Sequence, residues 1–171
     1  VLALPAPALL PPAARAQPAW PERSVRLIVP FGAGGAVDTL SRTVANAFPA
    51  QANGQTLVVE NRPGAGGTIA GAATAQARPD GATLMMADLG ANAIGKALQP
   101  GLPYDPLTAF TPICHLVTLP LVLVVPAAVP AASAAEFFAY AKAQGDLPYA
   151  HPGIGYIGHL AQELMIRRAG L

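Results

Sequence analysis

Cysteine is almost missing from this chain. Cys114 is the only one, which excludes an intrachain disulfide and leaves the redox compartment open. Charge is scarce too: Asp, Glu, Lys and Arg make up 11% of 171 residues, with a formal net charge of +1. No basic cluster is denser than Arg167-Arg168, and phosphate-backbone binding needs several converging cations. Nucleic acid is therefore not an expected partner. Serine occurs only at Ser24, Ser41 and Ser133, and none sits in a G-x-S-x-G elbow. Cys114 and His115 are adjacent in a run that reads as strand, so their side chains fall on opposite faces and form no dyad. Cys114 reads instead as a small buried hydrophobe. His159 and Glu163 share a helix face, but no third ligand follows at metal-site spacing. No catalytic residue, metal or cofactor is called for, and nothing requires enzyme chemistry.

What is present is apolar residue, 53% of the chain, enough for one globular domain or one and a fraction. The organising stretch is Val25 to Asp38. Val25 to Val29 suits a strand covered on both faces, and Pro30 ends it for want of an N–H. Gly32, Gly34 and Gly35 let successive N–H groups turn toward one point. Val37, Leu40, Val44 and Phe48 then recur at helical spacing. A helix start with bare N–H donors attracts anions. Asp38 would repel an anion unless it caps its own helix or ties down the glycine loop.

The same plan repeats. Thr56 to Glu60 reads as a second strand, Asn61 to Gly67 as a glycine turn, and Thr68 to Ala77 as a helix with Thr68 at its N-cap. Ala82 to Ala87 is a third strand, which gives β-α-β-α-β and a parallel sheet. Asp88 to Asn92 is a third strand-end loop, with a short helical piece to Leu98. Ile113 to Thr118 and Leu121 to Val125 are apolar runs of strand length. Ser133-Ala134-Ala135-Glu136 is a capping box for a helix that Gly145 stops. Leu147 to Ala150 reads as a strand, His151 to Gly158 as a fourth glycine-rich loop, and His159 to Arg168 as a last helix. In open α/β sheets ligands bind at such strand ends.

One rival reading is a nucleotide-binding α/β enzyme fragment built on Gly32 to Gly35, with Glu60 as the ribose acid. Its fingerprint is partial, because Val37 stands where a third glycine belongs. At the front, residues 1–16 are apolar and proline-interrupted, and Ala14-Arg15-Ala16 fits a signal-peptidase site. This reads as an export signal cut short at its start, against the competing reading of a disordered Pro/Ala tail. Four prolines in twelve residues and insufficient length argue against a spanning helix.

The loops together resemble a known family. WPERSVRLIVPFGAGGAVD (Trp20 to Asp38), VVENRPGAGG (Val58 to Gly67), PDGATL (Pro79 to Leu84), LPYDPLTAFTP (Leu102 to Pro112), LVLVVP (Leu121 to Pro126) and YAHPGIGYIGHLAQEL (Tyr149 to Leu164) are similar to the Bug, or TctC-like, solute-binding proteins. These are extracytoplasmic receptors of tripartite tricarboxylate transporters. The resemblance implies a periplasmic, two-lobed α/β protein of the type II periplasmic binding kind. It would hold a small carboxylate-bearing solute without a cofactor and pass it to membrane transporter subunits. It implies lobe 1 over residues 17–120 and the start of lobe 2 over 121–171, with the second lobe incomplete and the chain an N-terminal portion. Carried onto this sequence, it implies ligand contacts from Phe31, Gly32, Ala33, Gly34, Gly35 and Asp38, from Leu89, Gly90, Ala91 and Asn92, and from Gly153, Gly155, Tyr156 and His159. Gly64 to Gly67 would shape the lobe more than touch the ligand. Three departures stand out: Tyr156 where a serine is common, His151 where a small residue is common, and Ala91-Asn92 where Thr-His is usual. With strands such as Leu121 to Val125 short of neighbours, the isolated chain is expected to be poorly soluble and to bind weakly.

Overall fold

The computed structural model describes residues 19–151 and 153–171. The export-signal reading of residues 1–16 lies outside the described residues. At the centre is β1 (Val25–Val29), flanked in parallel by β2 (Leu57–Asn61) and β3 (Thr83–Met85) in the order β2-β1-β3. Successive residues of a strand face opposite sides, and β1 is buried on both. Val25, Leu27 and Val29 meet Val37, Leu40 and Val44 of α1 (Ala36–Ala47). Ile28, on the other face, is fully buried, and there α2 (Thr68–Ala75) packs on β1 and β3. Each such buried aliphatic side chain contributes about 1.5–3 kcal/mol. The expected β-α-β-α-β unit is present, with all three strands parallel.

Two polar devices position the strand ends. Asp38, 2% exposed, accepts from the Gly34 N–H at 2.8 Å, from Arg42 Nε at 3.0 Å and from Asn61 Nδ2 at 2.9 Å. It ties down the glycine loop and does not cap α1, whose cap is Gly35 with no side-chain bond. Asp88 does the equivalent work after β3, accepting from the Gly90 and Ala91 N–H groups at 3.2 Å each. Behind this second turn the Tyr104 hydroxyl donates to the Ala91 carbonyl at 2.8 Å. The Tyr104 ring lies so close to Gly71 of α2 that a Cβ there would come within 2.2 Å of its oxygen.

Several local expectations are corrected. Leu89 to Asn92 is not a loop: Leu89 is helical, and a π-type turn over Gly90–Ile94 runs into α3 (Gly95–Leu98). Thr68 is the first residue of α2, not its cap. Left-handed Gly67 holds the cap position, and the Thr68 hydroxyl donates back to the Ala65 carbonyl. Ile113 to Thr118, Leu121 to Val125 and Leu147 to Ala150 form no strands. A strand needs a neighbour for its N–H and C=O groups, and none pairs with them among the described residues. Cys114 is consequently exposed rather than buried, as are Ile113 at 76% and Val122 at 82% in the same two runs. The capping box does form: Ser133 accepts from the Glu136 N–H at the start of α4 (Ala134–Gln144), while Glu136 accepts from Ala132. The last helix, α5 (Ile157–Ala169), ends at left-handed Gly170 as its sequence suggests. No described helix is long and apolar enough to cross a membrane.

Replacing Gly71 with alanine should expel the Tyr104 ring and cost about 1–3 kcal/mol, read by chemical denaturation; an unchanged midpoint would contradict the packing. The Asp38 carboxyl is held far below its ordinary range, first by Arg42, then by the Gly34 N–H and Asn61. A lowered folded pKa stabilises above the unfolded value near 3.8 and loses that contribution as pH falls. The melting-temperature advantage of the natural protein over Asp38→Asn should therefore shrink between about pH 5 and about pH 2. An advantage independent of pH would show that Asp38 is not held as an anion.

Candidate ligand cleft

Where β1 and β2 end, the chain encloses a cleft of about 860 Å³. One wall is the turn into α1, with Phe31, Gly32, Ala33 and Gly35; a second is the turn into α2, with Pro63 to Gly66 and Thr68. The π-type turn and α3 add Gly90, Gly95, Leu98 and Gln99, and the loop into α5 adds Gly153 to Tyr156, His159 and Leu160. Glycine makes this convergence possible. A Cβ on Gly90 would stand 2.2 Å from the Gly66 carbonyl oxygen, and one on Gly66 would stand 3.1 Å from Gly155. Three separate turns thus meet backbone to backbone.

Of the residues named from the sequence, Phe31, Gly32, Ala33, Gly35, Gly90, Gly153, Gly155, Tyr156 and His159 line this cleft, while Gly34, Asp38, Leu89, Ala91 and Asn92 do not. The reasons are geometric. The Gly34 N–H is spent on Asp38, and Asp38 is buried behind its loop. The Gly90 and Ala91 N–H groups are spent on Asp88, and Asn92 turns its side-chain oxygen to the Asp88 N–H at 3.2 Å. Leu89 is exposed. The Gly64-x-Gly66 turn, expected to shape the lobe, forms a wall of the cleft, and the lining also includes Pro63, Thr68, Gly95, Leu98, Gln99, Ile154 and Leu160, which the sequence did not single out as contacts. The glycine run was a usable signal for the first of these; Leu98 and Gln99 carry none.

The electrostatics rest on backbone. No Asp, Glu, Lys or Arg is among the described residues lining the cleft. Two long helices, α1 and α5, begin at it, and neither has a side chain capping its first turn. Each such start carries roughly half a positive charge on unpaired N–H groups. Tyr156 is 5% exposed; its hydroxyl donates to the Pro30 carbonyl and its ring stacks on Phe31 at 4.9 Å and 27°. Burial pushes the phenol pKa up, so it serves as a neutral donor. His159 Nδ1 accepts from the Gly155 N–H at 3.4 Å, and its other nitrogen lies 3.8 Å from Glu163. His151 similarly accepts from Gly153, with its ring 4.5 Å from that of His159. Among the described residues no cluster suited to a metal ion forms. Glu60, the ribose acid of the nucleotide reading, is already paired with Arg62 at 2.6 Å and Arg26 at 3.5 Å.

The comparisons with known proteins agree in one direction. Residues 40–171 match the family described as tripartite tricarboxylate transporter family receptor. A UPF0065 protein of Bordetella bronchiseptica is 38% identical over 95% of this chain and 48% of its own length. The protein BugT of Bordetella pertussis is 37% identical over 88% of this chain and 47% of its own. Among solved structures, an R. palustris protein with adipate superposes with a TM-score of 0.82 at 35% identity, over 89% of this chain and 51% of that one. MatC from Rhodopseudomonas palustris with bound malate gives 0.80 at 35%, over 89% and 52%. The periplasmic binding protein BugD gives 0.74 at 33%, over 89% and 50%. The chain spans about half the length of the curated relatives it matches. Its fold is the α/β fold of periplasmic binding proteins, over that half. On the family match across residues 40–171 and relatives near 38% identity over nearly all of its length, the chain belongs to the tripartite tricarboxylate transporter receptor family.

Proposed function

We propose that this protein is a periplasmic receptor that holds a small carboxylate-bearing metabolite in the cleft and hands it to the membrane subunits of a tripartite tricarboxylate transporter, without catalysis. The observation that carries this reading is the pair of uncapped helix starts, α1 and α5, opening on one cleft with no charged side chain among its described lining residues. Backbone N–H groups and helix dipoles favour an anion there. They suit a carboxylate, which a few donors can satisfy, better than a nucleotide, which needs partners for base and ribose as well. The adipate and malate bound by two relatives fit the same class. In this reading residues 17–120 form the first lobe and residues 121–171 open the second. The first lobe contributes Phe31, Gly32, Ala33 and Gly35, with Gly34 and Asp38 holding their loop in place from behind, and the loop into α5 contributes Gly153, Gly155, Tyr156 and His159. Gly90 shapes the wall, and Leu89, Ala91 and Asn92 act behind it.

A thermal-shift screen at millimolar ligand, where even the weak binding expected of the isolated chain registers, should show di- and tricarboxylates raising the melting temperature by a few degrees while NAD and ATP leave it unchanged. Nucleotide-only shifts would sink the proposal. Gly34 has a left-handed φ of 86° with open space around it, so Gly34→Ala strains the loop without blocking the cleft. Calorimetry should then give about tenfold weaker carboxylate binding; unchanged affinity would show that the α1 loop is not part of the site.

A further inference from the structure

Gly32 lies in the cleft wall, and a glycine has no side chain to aim its own backbone. The aim comes from behind the loop. Asn61, the half-buried last residue of β2, stands in register with Val29 of β1. The Val29 carbonyl accepts the Arg62 N–H at 2.8 Å; Pro63 follows and has no N–H to offer the next acceptor. That acceptor, the Phe31 carbonyl, takes its hydrogen bond from Asn61 Nδ2 at 3.0 Å instead.

The same nitrogen donates to Asp38 Oδ1 at 2.9 Å, and Asn61 Oδ1 accepts from Arg42 Nη2 at 3.3 Å. Arg42 Nε donates to Asp38 in turn at 3.0 Å, so the three side chains close a ring. A carboxamide carries two N–H groups and one carbonyl oxygen. Here both N–H groups meet acceptors and the oxygen meets a cation. Turned over, the carboxamide would set its oxygen against the Phe31 carbonyl and the Asp38 carboxylate, so one orientation is satisfied and the other is not.

Two points of the loop into α1 are thereby fixed: the Phe31 carbonyl by Asn61, and the Gly34 N–H by Asp38 at 2.8 Å. Gly32 and Ala33 lie between them, and both line the cleft. The Phe31–Gly32 peptide is trans, and in a planar trans peptide C=O and N–H point in opposite directions. With the Phe31 carbonyl turned to Asn61, the Gly32 N–H is turned away from it. Asn61 stands outside the described lining and Gly32 within it.

Resting on the receptor reading above, we propose that Asn61 is a positioning residue of the anion site, whose hold on the Phe31 carbonyl directs the Gly32 N–H into the cleft as a donor to the ligand carboxylate. Asn61 acts through that peptide and not on the ligand. Without the hold, glycine tolerates either orientation of the peptide, and the donor is lost while the sheet stays formed.

An exchange of two side chains separates this role from a purely structural one. Asn61→Asp keeps the shape but cannot donate to Phe31, and it sets a second carboxylate beside Asp38. Adding Asp38→Asn restores the net charge and lets position 38 donate to position 61, with its own oxygen still available to the Gly34 N–H. The Phe31 carbonyl stays unheld. Calorimetry of the natural protein with succinate, adipate and citrate at neutral pH selects the tightest-bound acid as the probe. Asn61→Asp should lower both melting temperature and affinity. The double exchange should recover most of the melting temperature, yet bind the probe about tenfold more weakly than the natural protein. Affinity that returns together with the melting temperature would show that Asn61 serves the fold alone, and would overturn the proposal. The Gly32 amide of the natural protein should shift saturably as the probe is added; a Gly32 amide that stays still while the probe saturates would also overturn it. That second measurement decides the matter should the double exchange fail to fold. Binding by none of the three acids would overturn the receptor reading, and the role of Asn61 with it.

Discussion

The cleft depends on a close approach of backbone to backbone at Gly66. The turn into α2, the π-type turn after β3 and the loop into α5 come from distant parts of the chain. They touch because Gly66, Gly90 and Gly155 carry no side chains. Any Cβ on Gly90 would push the π-type turn off the Gly66 carbonyl. With that contact made, α5 begins opposite α1, and two sets of unpaired N–H groups share one space. The Tyr156 hydroxyl on Pro30 and the Phe31 stack then fasten the far wall to the end of β1. The order of dependence runs from glycine contact to convergent helix starts to the anion site proposed above.

Around that contact, acidic side chains regulate which N–H groups remain available. Asp38 withdraws the Gly34 N–H, and Asp88 withdraws those of Gly90 and Ala91. Their environments differ. Arg42 and Asn61 hold Asp38 ionised, while burial pushes the Asp88 carboxyl up against the pull of its own N–H partners. Both keep their charge from the cleft by spending acceptors on the loops beside it. An exposed acid at either strand end would repel an anion placed at the helix starts.

The first three strands and two helices were legible because their signals are local. The β1 run, its glycine turn and the α1 spacing read correctly from adjacent residues, as did the Ser133 capping box and the Gly170 stop. Reading failed where the outcome depends on a distant partner. Ile113 to Thr118 and Leu121 to Val125 have strand composition, but a strand is made by its neighbour. The tie between Asp38 and the Gly34 loop was one of two readings open from the sequence, whereas the donors of Gly90 and Ala91 looked available because a loop pattern does not show where an aspartate two or three residues away will reach. Tyr156 and Pro30 are 126 positions apart, so the sequence shows a bulky residue in the loop but not the carbonyl it covers. The nucleotide alternative weakened for a similar reason: Glu60 lies at the end of β2, but Arg62 and Arg26 occupy it.

The central claim is that backbone N–H groups at two helix starts, not side-chain charges, hold the anion. Amide NMR during a succinate titration tests it most directly. The account predicts saturable shifts at Gly35 to Val37 and at Ile157 to His159, with the Gly90 and Ala91 amides, bound to Asp88, moving little. Shifts concentrated at Gly90 and Ala91, or confined to Lys and Arg side chains while both helix starts stay still, would contradict it.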